Sequence, residues 1–328
     1  MSIRTAVIGV GHLGRQHARI HAALAAEGRT QFVFVCDSDE ERARSVAADR
    51  ETDWTKDWQA LIGRVDAVSL AVPTESHAEI ACALLEAGVH VLVEKPISRT
   101  LEEANRMIES ARRSGMILQV GHLERFNPAL TALHPYVRGP LYFEIHRVGE
   151  FTARSLDIDV VLDLMIHDLD IVQWLVGEHV EATDVRAVGI PVLTSRVDAA
   201  NARLEFASGA VANITASRVG TEKIRKMRFF QPHDYISVDY ALRRTSISSL
   251  APPVGAGARP DVHVRYLDVE DVEPLRAEIE AFLQAASGHR PSPVSGADGR
   301  RALALALRAL ERIEEHAALA GVHSLDLK

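Results

Sequence analysis

The sequence predicts an α/β fold: a doubly wound parallel sheet first, then an α+β unit with an open, mostly antiparallel sheet. Three observations carry this. Short apolar runs alternate with helical stretches from residue 4 to residue 120, the pattern of successive βα units. The first run ends in Gly9-Val10-Gly11-His12-Leu13-Gly14, a glycine fingerprint between a strand and a helix. From Leu141 onward the periodicity drops to two residues, as in half-buried strands.

The elements follow in order. Thr5-Ala6-Val7-Ile8 is apolar without alternation, as in a strand covered on both faces. Residues 16–26 predict a helix and residues 32–36 a second strand, ending at Asp37. That aspartate lies roughly 20 residues past Gly14, the spacing of a carboxylate that binds the adenosine ribose. Gly9 makes the turn, Gly11 admits a pyrophosphate to the backbone, and Gly14 lets helix and strand approach. Asp37 favours NAD, because a 2′-phosphate would meet its charge. NADP is the alternative, since Arg42 and Arg44 follow.

Next come a short helix at 58–62, an apolar strand at 67–72, and the loop Pro73-Thr74-Glu75-Ser76-His77. Thr74 and Ser76 either cap the helix at 78–87 or touch the dinucleotide. The run Val89-His90-Val91-Leu92-Val93 then ends in Glu94-Lys95-Pro96; proline stops the strand and leaves Lys95 at its carboxyl end, where ligands bind in such sheets. The expected dinucleotide contacts are Gly9, Gly11, His12, Leu13, Gly14, Asp37, Pro73, Thr74, His77, Glu94 and Lys95. A helix at Leu101–Ser114 and a strand at 117–120 complete the pattern. The domains are expected at 1–122 (dinucleotide binding) and 123–328 (substrate binding and oligomerisation).

In the second half, strands are expected at 142–148, 199–206 and 211–218, with Ser208-Gly209 as a hairpin turn and 251–260 as a loop. A helix over 159–176 is apolar on most sides. Its polar residues Asp159, Asp163, His167 and Asp170 recur at one-turn spacing, a stripe facing a cleft, while Asp168 points elsewhere as a structural partner. His122 and Arg125 are expected to line the substrate mouth. Lys223, Arg225, Lys226 and Arg228 read as a solvated strand edge, with a diphosphate site as the alternative. Helices at 272–286 and 296–316 carry no assigned chemistry.

Bulk composition narrows the partners. The 328 residues are 47% hydrophobic and 25% charged, ordinary for a globular chain of about two domains. A net charge of −8 argues against general nucleic-acid binding. Cys36 and Cys82 read as reduced core residues, and no apolar run reaches membrane-spanning length, so a soluble, cytoplasmic protein without membrane partners is expected. No His/Cys spacing suggests a metal.

The glycine fingerprint, Glu94-Lys95-Pro96 and Asp163-x-x-x-His167 together resemble the glucose–fructose oxidoreductase / inositol dehydrogenase (Gfo/Idh/MocA) family. The resemblance implies a Rossmann domain, a second domain with an open sheet, and homodimers or homotetramers built through that sheet. It also implies NAD(P)-dependent oxidation of a sugar or cyclitol CH–OH group, with Lys95, Asp163 and His167 at catalytic positions and Pro96 often cis. A narrower resemblance lies in Gly121-His122-Leu123-Glu124-Arg125-Phe126-Asn127-Pro128, in the segment from Asp159 to Asp168, and in the segment from Phe230 to Tyr240. It points to the UDP-N-acetylglucosamine 3-dehydrogenase branch, whose 3-keto product feeds an aminotransferase, as in amide-linked lipid A precursors. Inositol or aldose oxidation, or ketosugar reduction, are the alternatives; a non-catalytic NAD sensor has no need of the trio. Within that chemistry His167 is the expected base, because imidazole titrates near neutrality. Lys95 donates to the developing alkoxide, or is itself the base, and His122, Arg125, Lys95, Asp163 and His167 contact substrate.

Overall fold

The first sheet is built from strands that need no alternation. Arg4–Ile8 (β1), Gln31–Cys36 (β2), Asp53–Thr55 (β3), Ala67–Leu70 (β4), His90–Glu94 (β5) and Leu118–Gly121 (β6) run parallel in the order β3-β2-β1-β4-β5-β6. Ala6, Val7, Val68, Leu70 and Val91 are completely buried. Between the strands lie His12–Ala26 (α1), Glu40–Arg50 (α2), His77–Glu86 (α3) and Leu101–Ser114 (α4). Local chemistry sets their ends. Asp39 caps α2 through the Arg42 N–H, and Thr100 with Glu103 forms a reciprocal capping box on α4. Strand order reverses beside β1, which makes the carboxyl ends of β1 and β4 a ligand crevice.

This computed structural model describes residues 2–151, 158–251 and 261–321; most of the expected loop at 251–260 lies outside them. The chain after β6 continues with Pro128–Leu133 (α5), Tyr142–Glu150 (β7), a π-helical turn at Val161–Met165, and Ile166–Val176 (α6). Seven strands follow: Ala182–Ile190 (β8), Ala199–Phe206 (β9), Val211–Gly220 (β10), Ile224–Gln231 (β11), Asp234–Asp239 (β12), Arg244–Ala251 (β13) and Asp261–Tyr266 (β14). With β7 they form an eight-stranded sheet ordered β14-β13-β12-β11-β7-β10-β9-β8. Only the β7–β10 pairing is parallel. The β9–β10 hairpin turns at Ser208-Gly209, where Gly209 takes φ 85°. One face of this sheet buries Phe143, Ile145, Ile214, Met227 and Phe229.

The tail holds Pro274–Ala286 (α7) and Gly296–Ala320 (α8), and here the expected division at 122/123 is corrected. One unit comprises Met1–Leu123 and Val272–Leu303; the other comprises Glu124–Asp271 and Ala304–Lys328. The reason is apolar: Ile279, Phe282 and Leu283 of α7 share a core with Ile20, Leu24, Ala67 and Leu92. The tail also pairs with β6, where the Val120 N–H donates to the Val294 carbonyl. A helix amphipathic by sequence thus turns out to complete the first unit.

Candidate active site

The glycine loop is explained by what a Cβ would meet. At Gly9, with φ +81°, it would sit 2.7 Å from the Ala71 carbonyl carbon; at Gly14 it would sit 1.7 Å from the Gly9 oxygen. Both glycines are therefore required by close packing of the protein itself. Gly11 differs, since its Cβ would meet nothing nearer than the Arg42 guanidinium at 4.0 Å. Space is left there for a group that is not protein. Gly11 is also the N-cap of α1, with no side-chain cap and no acidic residue in the first turn, so the helix start offers bare N–H groups to an anion. His12 and Leu13 are exposed beside it.

A cleft of about 760 Å³ opens at these strand ends, lined by Gly9, Gly11, Asp37, Ser38, Pro73 and Ser76 among others. Asp37 is buried and accepts the Val10 N–H at 2.9 Å and the Asp39 N–H at 2.9 Å, so it braces the glycine loop from within. Nearby cations are already balanced: Arg42 lies 2.9 Å from Asp39 and 3.6 Å from Asp37, and Lys56 lies 3.5 Å from Glu40. That balance suits a neutral ribose diol better than a 2′-phosphate. The pocket also takes Lys56 and Trp58, which no sequence spacing marks. Ser76 is the N-cap of α3 but makes no side-chain cap bond, so the capping reading of this loop does not hold at Ser76; it lines the cleft.

Two expected cofactor contacts have other work. His77 is buried, its ring nitrogens 2.9 Å from the Val72 carbonyl oxygen and 3.1 Å from that of Pro96. It ties the loop after β4 to the turn after β5, and burial holds its pKa below the usual histidine range. Glu94 turns inward too: one oxygen lies 2.9 Å from His17 Nε2, and the other accepts the Lys95 N–H at 3.2 Å. Lys95 is half-buried at the end of β5, and the Lys95–Pro96 bond is cis.

In the second unit, the expected polar stripe separates into two kinds of residue. Asp163 and His167 are half-buried, Asp163 inside the π turn and His167 one turn later; such turns concentrate at functional sites. Asp170 is buried and takes a bidentate grip from Arg125 at 2.6 and 2.7 Å. Arg125 therefore serves the interior of this unit rather than lining a mouth, and Trp174 lies against its guanidinium. His122 is likewise buried, in the first unit. Asp168 is the structural partner anticipated for it, held by Arg147 at 2.7 and 2.8 Å. Arg147 also reaches Glu124 at 2.9 Å. Asp159 accepts the Val197 N–H at 3.0 Å. The basic residues of β11 lie on an internal strand between β7 and β12, not on an edge, with Lys226 3.4 Å from Asp239.

A profile of the oxidoreductase family with an NAD-binding Rossmann fold (GFO_IDH_MocA) matches residues 3–122, and one of the GFO/IDH/MocA C-terminal domain matches 133–230. The UDP-N-acetylglucosamine 3-dehydrogenase of Acidithiobacillus ferrooxidans is 42% identical over 313 residues, 95% of this chain and 97% of that protein. Its solved structure superposes with a TM-score of 0.88 at 41% identity, covering 96% of this chain and 99% of that one. The myo-inositol 2-dehydrogenase of Thermotoga maritima is 28% identical over 95% of this chain and 97% of its own.

Proposed function

Because the chain belongs to the Gfo/Idh/MocA oxidoreductase family, we propose that it is an NAD-dependent dehydrogenase that oxidises the C3 hydroxyl of UDP-N-acetylglucosamine to the 3-keto sugar. The observation that carries this reading is 42% identity spread across both units, against 28% for the full-length inositol relative. The product would pass to an aminotransferase, ahead of amide-linked lipid A or a related surface sugar. We place the protein in the cytoplasm, which two free cysteines suit. A homodimer or homotetramer built through the second sheet is supported by exposed Val188, Ile190, Phe230, Val262, Val264 and Tyr266.

Oxidation of a secondary alcohol breaks its C–H and O–H bonds and forms C=O, with hydride and proton leaving to separate acceptors. NAD, when bound, supplies the hydride acceptor. Gly9, Gly11 and Asp37 would hold it, with Gly14 keeping the helix close and His12, Leu13, Pro73 and Thr74 alongside. His167 receives the hydroxyl proton, since an imidazole changes charge near neutral pH. Lys95 donates to the oxygen as negative charge grows there, and Asp163 orients His167 from one turn before it. Exchange of roles, with Lys95 as base, gives the same balance of protons.

The test is a panel of UDP-sugars, inositols and free aldoses with NAD, followed by NADH absorbance. Mass analysis of the sugar after adding 2-oxoglutarate covers a cofactor that stays bound and recycles. A 3-keto UDP-sugar is expected. Activity confined to inositols would falsify the nucleotide-sugar reading and favour the second one, an inositol or aldose dehydrogenase, which the Thermotoga relative supports.

A further inference from the structure

Behind the Glu94–Lys95 turn lies a group of side chains that the proposed chemistry does not use. Glu278, on α7, is completely buried, and among the described residues no N–H or O–H donates to either of its carboxyl oxygens. An ionised carboxylate in that position would forfeit its hydration with nothing in return. One ligand atom from each of Glu278, Glu94 and His17 falls within 4.8 Å of the others. The His17 ring donates to or accepts from Glu94 through Nε2, while its buried Nδ1 has no hydrogen-bond partner. Two carboxyl groups this close in a dry interior do not both ionise without a second positive charge.

Among the described residues, the positive charge nearby acts on Glu94 rather than on Glu278: His17 and the Lys95 ammonium both lower the Glu94 carboxyl, and neither offsets the burial of Glu278. On α1, His17 faces the pair, and His21 beyond it is neutral because burial lowers its pKa to about 3. From β4, Ser69 binds His21 at 2.9 Å. From β6, Gln119 donates to the Glu278 backbone carbonyl at 3.1 Å, not to its side chain. From β5, Glu94 is held by His17 and by the Lys95 N–H. Burial, reinforced by the Glu94 charge, drives the Glu278 carboxyl well above its ordinary range.

We propose that Glu278 is a positioning residue that carries a proton as a neutral carboxylic acid, shares it with Glu94, and so fixes the Glu94–Lys95 turn from behind. The proton lets Glu94 stay ionised for His17 and the Lys95 N–H without a second buried negative charge. Gln imitates the neutral acid in shape and can donate; Leu matches its bulk but cannot donate. This inference does not rest on which sugar is oxidised, and its tests use no substrate.

Infrared difference spectra of the full-length protein at pH 7.5, wild type minus Glu278→Gln, should contain a carboxylic-acid carbonyl band from the wild type. Unfolding midpoints supply the second reading. A carboxyl whose pKa is raised in the folded state costs stability as pH rises above its unfolded value. Glu278→Gln should therefore match the wild type near pH 4.5 and exceed it increasingly toward pH 8. Hydrogen exchange of the peptide carrying Lys95 gives the positioning readout: exchange about fivefold faster in Glu278→Leu than in Glu278→Gln, the worth of one hydrogen bond. Absence of the band, a pH-independent stability difference, or equal exchange in the two variants overturns the proposal. So does stoichiometric divalent metal in the purified protein that disappears in Glu278→Gln, which would make the trio a cation site.

Discussion

The two units bury acidic groups on opposite terms. In the second, Asp168 and Asp170 each face an arginine bidentately, and Glu124 shares Arg147. In the first, Glu94 is held by His17, the Lys95 N–H and the Lys95 charge, and among the described residues Glu278 receives no hydrogen bond. The arginine-matched arrangement is the more fixed, because a guanidinium does not lose its proton, although burial still raises the Asp168 carboxyl. The other has no guanidinium to match it, and burial beside Glu94 drives the Glu278 carboxyl well above its ordinary range. Arginine-matched carboxylates thus build the scaffold under α6, whereas the carboxyl groups behind Lys95 form a site where protons set the geometry.

Breaking the fixed side of this comparison should have the largest effect. Arg147→Ala leaves Asp168 and Glu124 buried without their cation, and we expect a loss of about 3–5 kcal/mol in urea unfolding. A loss below about 1 kcal/mol would mean that the pair behaves like a surface bridge. Next in size are the half-buried residues proposed to react. His167→Ala and Lys95→Ala should each lower turnover by at least about a hundredfold, with unfolding midpoints near wild type; near-normal turnover in either removes its assigned role.

The glycine loop yields a smaller and sharper contrast. Gly14→Ala drives a methyl into the Gly9 carbonyl and should cost about 1–3 kcal/mol of stability. Gly11→Ala has room within the protein, so stability should move by less than about 0.5 kcal/mol while NAD affinity, measured by NADH fluorescence titration, falls. Equal stability losses in both would refute the distinction.

A further effect, seen only as a slope, concerns pH. His21 has its folded pKa depressed to about 3 by burial, so the unfolded chain takes up a proton below about pH 6.5 and the folded one does not. Its contribution is full above pH 6.5 and declines as pH falls, by about 1.4 kcal/mol between pH 7.5 and 5.5. Glu278 contributes with the opposite sign over that range. His21→Asn, compared with wild type at both pH values, isolates the histidine; an unchanged pH slope would count against it.

The dinucleotide half was legible because its signals are local. A strand, three glycines and an aspartate fall within residues 4–37, although Gly9 is required by Ala71 from beyond that stretch. The three-residue β3 left no pattern to read. The stripe on the second-unit helix was legible as polarity, but its roles were not, because Arg125 and Arg147 reach Asp170 and Asp168 from distant segments. His77 and Glu94 sat where cofactor ligands are expected; their inward partners are Val72 and Pro96 from two loops and His17 from α1. Glu278 carried no signal at all, since one glutamate in an amphipathic helix looks solvated until the helix is docked.

The return of α7 to the first unit also orders events at the ribosome. The Rossmann strands emerge first, yet the apolar surface over Leu92 and Ala67 stays uncovered until Ile279 and Phe282 have been made. At about 5–20 residues per second, that interval lasts on the order of 10–30 s. The half of the protein that is read most easily from its beginning is finished only near its end, and a nascent chain stalled in the second sheet carries an open hydrophobic face that chaperones would find.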